Sequence, residues 1–313
     1  MVTRTLSTKN DAWPDAKDVN TGDDSIDGLM GNDTITLGLG DDVAHGDEDA
    51  DLISGDDGQD TLHGDAGPDE LNGGNGSDSM LGGTGADFLA GIDDEDTIFG
   101  GNDNDTISGD NGNDSLNGGD GADIVDGGAG IDFVSGGNGI DLLMGGDATD
   151  FIIGDDFEIQ LGFNDTLTGD GGNDTVLGTG GDDSILGGEG ADALFGDIFG
   201  GFPAFLQGDD TVLGGVGNDT IAGGQGDDSL LGEAGNDIIS GQDSVSADVS
   251  GGLTQTDVDT ILGGDGNDTV YSWGGDDSIL GGTGNDLLYG DGETVVTGDS
   301  VGSGTDDIDT ILG

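Results

Sequence analysis

From residue 24 to residue 150 every ninth position is an aspartate: Asp24, Asp33, Asp42, Asp51, Asp60, Asp69, Asp78, Asp87, Asp96, Asp105, Asp114, Asp123, Asp132, Asp141 and Asp150. The column resumes three more times in fours, as Asp165, Asp174, Asp183 and Asp192, as Asp210, Asp219, Asp228 and Asp237, and as Asp259, Asp268, Asp277 and Asp286. It ends at Asp309, giving 28 copies. Carboxylates at fixed spacing, set among glycine-rich loops whose other donors are backbone carbonyls, offer a cation nothing but oxygen. That donor set suits a hard ion. Ca2+ accepts about six to eight oxygens at roughly 2.3–2.6 Å in a flexible shell, whereas Mg2+ demands stricter octahedral geometry and keeps its water, so Ca2+ is the better match.

Around each aspartate the chain repeats one phrase, clearest in Gly73-Gly74-Asn75-Gly76-Ser77-Asp78-Ser79-Met80-Leu81. Its register is Gly-Gly-x-Gly-x-Asp-x-(aliphatic)-x. Ile26, Ile35, Ile53, Leu62, Leu71, Leu89, Ile98, Ile107, Leu116, Val125 and Val134 hold the aliphatic place, with Ala44 its weak member. The fourth-place glycine gives way to Asp49, Asp94, Asp103 and Ala148 in some copies. Aspartate is one of the few residues able to follow glycine into a left-handed backbone.

A period of nine fixes the elements that position these carboxylates. The first six residues read as a tight loop and the last three as a very short strand, its aliphatic residue inward and its neighbours outward. One such strand cannot bury its side chain alone. Two phrases make a flattened coil of 18 residues, and coils stack as parallel strands about 4.8 Å apart, so that fourteen coils span on the order of 70 Å. The expectation is an all-β parallel β-roll, with each aspartate above the one 18 residues earlier. Bare, two such charges repel by roughly 1 kcal/mol in water and several times that in a partly dried site. Cations between the coils reverse the sign.

The formal net charge is −66, and the three basic residues, Arg4, Lys9 and Lys17, all precede the first phrase. Without metal such a chain should be disordered, and with no cysteine no disulfide can compensate. Nucleic acid and acidic membrane surfaces are repelled by the charge. No apolar stretch is long enough to span a membrane or to serve as a secretory signal peptide. Other chemistry finds no support. Asp47-Glu48-Asp49-Ala50-Asp51 opens like an EF-hand loop, but Leu52 replaces the required glycine and Gly58 stands where the bidentate Glu belongs. His45 and His63, 18 residues apart, should stack one coil apart on an outer face; they read either as a two-His surface site for a transition metal or as two exposed polar residues, and the second reading is preferred because no third ligand repeats in their column. No phosphate-binding loop and no nucleophile–base pair is visible, so no enzyme activity is expected.

The phrase resembles the nonapeptide of the repeats-in-toxin (RTX), or hemolysin-type, calcium-binding proteins, from about residue 20 to the end. The resemblance implies a β-roll with Ca2+ between successive coils on both edges, roughly one ion per nonapeptide, and export from a bacterium by type I secretion machinery. It also implies the ligands: the column aspartates, with backbone carbonyls of loops such as Gly100-Gly101-Asn102, Gly118-Gly119-Asp120-Gly121 and Gly136-Gly137-Asn138-Gly139. Sites near Ala148 and at the insertions depart from the pattern.

Three segments follow. Residues 1–20 lack the phrase and form a lead-in, in which Trp13 could cap the first coil or fray with the terminus. Residues 21–153 are the uninterrupted roll. Residues 154–313 are interrupted after every fourth phrase, following those of Asp150, Asp192, Asp237 and Asp286, so the insertions should leave from one edge on every second coil. The last phrase reads as part of a longer array. The leading functional expectation is a secreted, extracellular or cell-surface structural or adhesive protein in a surface layer, matrix or extender, meeting Ca2+, its own kind or cell-surface polysaccharide. Alternatives are a Ca2+-dependent folding and export module of a secreted enzyme or toxin, and an ice-binding roll. The short lead-in speaks against the first. The mixed outward set Thr34, Leu52, Glu70 and Phe88 speaks against the second. A further outward column, Leu186, Leu213, Leu231, Leu262, Leu280 and Leu312, is apolar enough to invite a cover. Phe157, Ile159, Phe163, Phe199, Phe202 and Phe205 of the insertions, or another rod, could provide it; partial burial of the column at the strand-to-loop bend is the third reading.

Overall fold

The computed structural model of the chain describes residues 3–5, 9, 11–13, 22–155, 162–197, 208–241, 258–273, 275–290, 295–297 and 310–311. They fold as a parallel β-solenoid with no helix among them. Two compact units are present, Met1–Asp147 and Ala148–Gly313. The boundary expected after residue 153 falls inside the strand Phe151–Asp155 of the second unit.

In the first unit, successive phrases alternate between two parallel sheets. One carries the outward register Thr34↔Leu52↔Glu70↔Phe88↔Thr106↔Ile124↔Leu142. One place further along each of these strands, Ile35, Ile53, Leu71, Leu89, Ile107, Val125 and Leu143 point inward and are buried. The other sheet buries Ala44, Leu62, Met80, Ile98, Leu116 and Val134. This single aliphatic layer per sheet is the core, and Ala44 is as fully buried as its larger neighbours. The lead-in joins the stack: Thr3–Thr5 pairs with Ser25–Asp27, and Ala12–Trp13 pairs with Thr34 and Ile35. Trp13 is buried in register with Ile35, so it continues the aliphatic column.

The strands are longer than the sequence suggests. Most span six residues, as in Ser79–Thr84 and Thr97–Asn102, because the Gly-Gly-x part of the phrase also pairs in parallel with the next coil. Only about three residues remain as the turn. The chain bends at the second glycine, where Gly83 takes φ 115°. The left-handed turn at the fourth place is kept where glycine is absent: Asp49, Asp94, Asp103 and Ala148 have φ of 82°, 76°, 76° and 87°.

The second unit keeps the same register through its interruptions. Ser184↔Thr211↔Ser229↔Thr260↔Ser278 run in consecutive pairings, although successive members stand 18 to 31 residues apart. The described strands before the insertions, Phe151–Asp155, Ala193–Asp197, Ile238–Ser240 and Leu287–Tyr289, all belong to one sheet. Leu186, Leu213, Leu231, Leu262 and Leu280 form the outward column: the end members are exposed and the middle three half-buried. Leu312, Phe157, Ile159, Phe199, Phe202 and Phe205 lie outside the described residues.

Candidate metal centre

The phrase places its aspartate at the bend where one strand turns into the next, and the stack decides what that side chain meets. From Asp24 to Asp277 every column aspartate is buried. Asp286 is half-buried, and Asp309 lies outside the described residues. One carboxylate oxygen is satisfied by the stack itself. The backbone N–H of Asp60 donates to Asp78 Oδ1 at 2.7 Å, that of Asp78 to Asp96 Oδ1 at 2.7 Å, and that of Asp96 to Asp114 Oδ1 at 2.8 Å. On the opposite edge Asp69, Asp87, Asp105 and Asp123 donate in turn to the Oδ1 18 residues on, each at 2.8 Å.

The other oxygen points to a ligand. Oδ2 of Asp51, Asp60, Asp69, Asp78, Asp87, Asp96, Asp105, Asp114 and Asp123 is buried and accepts no hydrogen bond, and the same holds for Asp174, Asp183, Asp192, Asp210, Asp219, Asp228 and Asp237. Burying an unpaired carboxylate oxygen is costly. These oxygens share a cradle with a second one. A Cβ placed on Gly82 would stand 2.6 Å from Asp87 Oδ2 and 2.5 Å from the carbonyl oxygen of Gly100, the first glycine of the next coil. The same pair of oxygens crowds Gly64, Gly127 and Gly169 at 2.5–2.6 Å. The first glycine therefore leaves open a small space on which a carboxylate and a peptide carbonyl converge.

Burial dominates the electrostatics of this column. It lifts Asp60, Asp69, Asp96, Asp105 and Asp174 from 3.8 to about 7, and neighbouring carboxylates push the same way. The donated backbone N–H opposes the rise and is outweighed. Deep in the second unit, Asp228 is pushed up to about 9 and Asp183 to about 10. Around neutral pH the metal-free roll must hold protons on these groups or carry buried charge; a bound dication relieves both. The donors are oxygen alone, a buried carboxylate oxygen without a partner beside a carbonyl, repeated from coil to coil, which fits Ca2+. Asp87, Asp105 and Asp123 with the carbonyls of Gly100, Gly118 and Gly136 are the residues that would hold it.

The other loop positions divide. The carbonyls of Asn102 and Asn138 accept the N–H of Gly85 and Gly121 at 3.2 and 2.7 Å. Gly101, Gly119 and Gly137 form the left-handed bend, while Gly121 and Gly139 follow in the turn. The Asp120 side chain is exposed and accepts from Asn138 Nδ2 at 2.6 Å. Among the described residues the column holds across the first three interruptions. Asp150 donates to Asp174 Oδ1 at 2.8 Å, Asp183 to Asp210 Oδ1 at 2.9 Å and Asp237 to Asp268 Oδ1 at 2.9 Å, although the partners stand 24, 27 and 31 residues apart.

Several residues escaped the sequence reading. Asp11, outside any phrase, takes the column place below Asp33 and donates its N–H to Asp33 Oδ1 at 2.6 Å. Asp155 and Asp197 are buried ahead of two insertions, and Asp155 Oδ2 accepts the N–H of Phe163 at 3.1 Å across the first. A second ladder runs through the fifth place, where Asn236, Asn267 and Asn285 donate their N–H to Asn218, Asn236 and Asn267 at 2.8–2.9 Å. The abundance of Asn and Asp at that place in the second unit was its signal. The histidines stack one coil apart as their spacing requires, with ring centroids 4.4 Å apart. Outside their column, Asp65, two residues beyond His63, stands 3.0 Å from His45 Nδ1.

Comparison with curated protein sequences finds no match. Among solved structures, the chain is similar to that described as a hyperactive, Ca2+-dependent, β-helical antifreeze protein from an Antarctic bacterium. The two share 18% identity over 97% of this chain and 96% of that one, with a TM-score of 0.35. The RTX calcium-binding nonapeptide repeat family matches residues 18–44, 38–71, 54–89, 72–107, 90–125, 99–134, 126–157, 161–194, 206–241 and 255–292. With that match over most of its length, and with the period, fold and donor set above, the chain belongs to the RTX calcium-binding nonapeptide repeat family.

Proposed function

We propose that the chain is a secreted structural or adhesive roll that folds outside the cell on binding Ca2+ along both edges, and that it serves in a surface layer, matrix or extender. One observation carries the reading: the buried, unpartnered Oδ2 repeated from coil to coil against a peptide carbonyl. A fold that leaves so many carboxylate oxygens orphaned is complete only with a cation, so binding free energy serves as folding free energy. Extracellular modules of this ligand type bind Ca2+ at roughly 10⁻⁴–10⁻³ M, which keeps the chain unfolded in a low-calcium cytosol and free to pass type I secretion machinery. Neutralising the acidic surface then lets rods approach along the leucine column. The segment has no turnover of its own in this reading. Every basic residue precedes the first phrase, and the carboxylates are spaced as ligands.

Circular dichroism through a Ca2+ titration, reversed with EGTA, tests the proposal. The β signal should appear at millimolar Ca2+ and vanish on chelation. A β spectrum that persists in EGTA at pH 8 contradicts it, and hydrolysis of peptide, ester or glycan substrates by the purified, Ca2+-loaded chain contradicts the non-enzymatic part.

A further inference from the structure

We propose that His45, His63 and Asp65 form a second metal site of different chemistry, one that takes a zinc-class transition-metal dication. Along one outward column the register reads Asp27↔His45↔His63↔Leu81. The parallel stack therefore sets the two imidazoles face to face, with ring centroids 4.4 Å apart and planes within 4°. His63-Gly64-Asp65 then bends at the left-handed Asp65, φ 73°, which swings its carboxylate back to 3.0 Å from His45 Nδ1. One ligand atom from each of the three lies within 4.8 Å of the others. Ligands on a tetrahedral zinc at roughly 2.0–2.1 Å stand about 3.4 Å apart, so the half-exposed imidazoles must turn out of their parallel stack for their in-plane lone pairs to converge with the carboxylate on one ion.

Two imidazoles and one carboxylate form a donor set for borderline metals, which Ca2+ does not choose. The surroundings favour a dication. Asp27 adjoins His45 in the column and Asp47 is the register partner of Asp65. Among the described residues no other cluster of three His, Cys, Asp or Glu side chains has this geometry. The site lies outside the Ca2+ column, whose aspartates are buried in the bends, and can be loaded while Ca2+ saturates the roll.

The test is a Zn2+ titration of the full chain by calorimetry in saturating Ca2+, with Co2+ absorption reporting the ligands and circular dichroism reporting the fold. One equivalent of Zn2+ should bind, and Co2+ should show a visible band. H63Q and D65N should each weaken Zn2+ binding by at least about tenfold while leaving the β signal unchanged, because all three side chains are half-exposed. Absence of Zn2+ binding to the folded, Ca2+-loaded chain overturns the proposal, as does an affinity that H63Q and D65N leave unaltered. The β signal is read separately, so failure here leaves the Ca2+-dependent roll standing.

Discussion

Replacing Asp123 by Ala should cost far more than replacing Asp120, three residues earlier in the same loop. Asp123 is buried at 1% exposure; its Oδ1 accepts the Asp105 N–H at 2.8 Å, and its Oδ2 is orphaned beside the first-glycine cradle. Removing the carboxylate leaves the buried N–H of Asp105 unpaired, a loss of about 1–3 kcal/mol. It also removes a charged ligand. An ion held at a hundredfold excess over its dissociation constant contributes about 2.7 kcal/mol. Together these reach about 4–6 kcal/mol, a large share of the roughly 5–15 kcal/mol that holds a typical domain. Because each coil contacts only its neighbours, the damage should centre on Thr106–Asn111, Ile124–Ala129 and Leu142–Asp147. Amide hydrogen exchange in 10 mM Ca2+ should show those strands exchanging faster. D123N keeps an oxygen for the Asp105 N–H and should recover the hydrogen-bond share alone. D120A removes an exposed partner of Asn138 and should stay within about 0.5 kcal/mol. Equal effects of D123A and D120A, or unchanged exchange in D123A, would refute the reasoning.

The raised carboxylates set a pH dependence: groups at 3.8 when unfolded and about 7 when folded, such as Asp60 and Asp105, bind more protons in the folded state, so the metal-free roll gains stability as pH falls through that window and loses it as pH rises. The chain in EGTA should show more β signal at pH 4 than at pH 8, and the Ca2+ midpoint should be higher at pH 5.5 than at pH 7.5; metal-free structure that melts in acid would contradict this. Gly82→Ala fills the cradle between Asp87 Oδ2 and the Gly100 carbonyl and should raise the Ca2+ midpoint, whereas Gly22→Ala, with nothing within 4 Å of the added carbon, should leave it in place. Changing Leu213, Leu231 and Leu262 together to Ser should preserve the Ca2+-induced β signal and abolish assemblies seen by light scattering. Purely monomeric scattering from the unmutated, Ca2+-loaded chain would defeat the assembly reading.

What the sequence made legible was whatever repeats at one place in the phrase. Aspartate and the aliphatic residue recur at a fixed spacing, and stacking at that spacing has one outcome: a buried carboxylate column beside a buried apolar one. Contacts between different places in the phrase were not legible. The six-residue strands were missed because Gly-Gly-x reads as a loop by propensity, yet it pairs in register once coils stack. The N–H to Oδ1 ladder depends on which way each carboxylate turns, which spacing leaves open. Asp11 reaches the column with no phrase around it to mark it. Asp65 joins the histidines from a neighbouring column through a bend at a non-glycine residue, so a search down the histidine column alone passes over it. The insertions were expected to weaken the pattern, but stacking restored the register on either side because loop closure grows only slowly more costly with length.

A crystal structure of the chain grown in Ca2+, with anomalous scattering collected to locate the ions, tests the central claim most directly. The account predicts anomalous peaks on both edges, each between a column Oδ2 and the first-glycine carbonyl of the next coil, as between Asp87 and Gly100 and between Asp105 and Gly118. A folded roll whose peaks fall only on exposed carboxylates, leaving those buried oxygens without an ion, would contradict it.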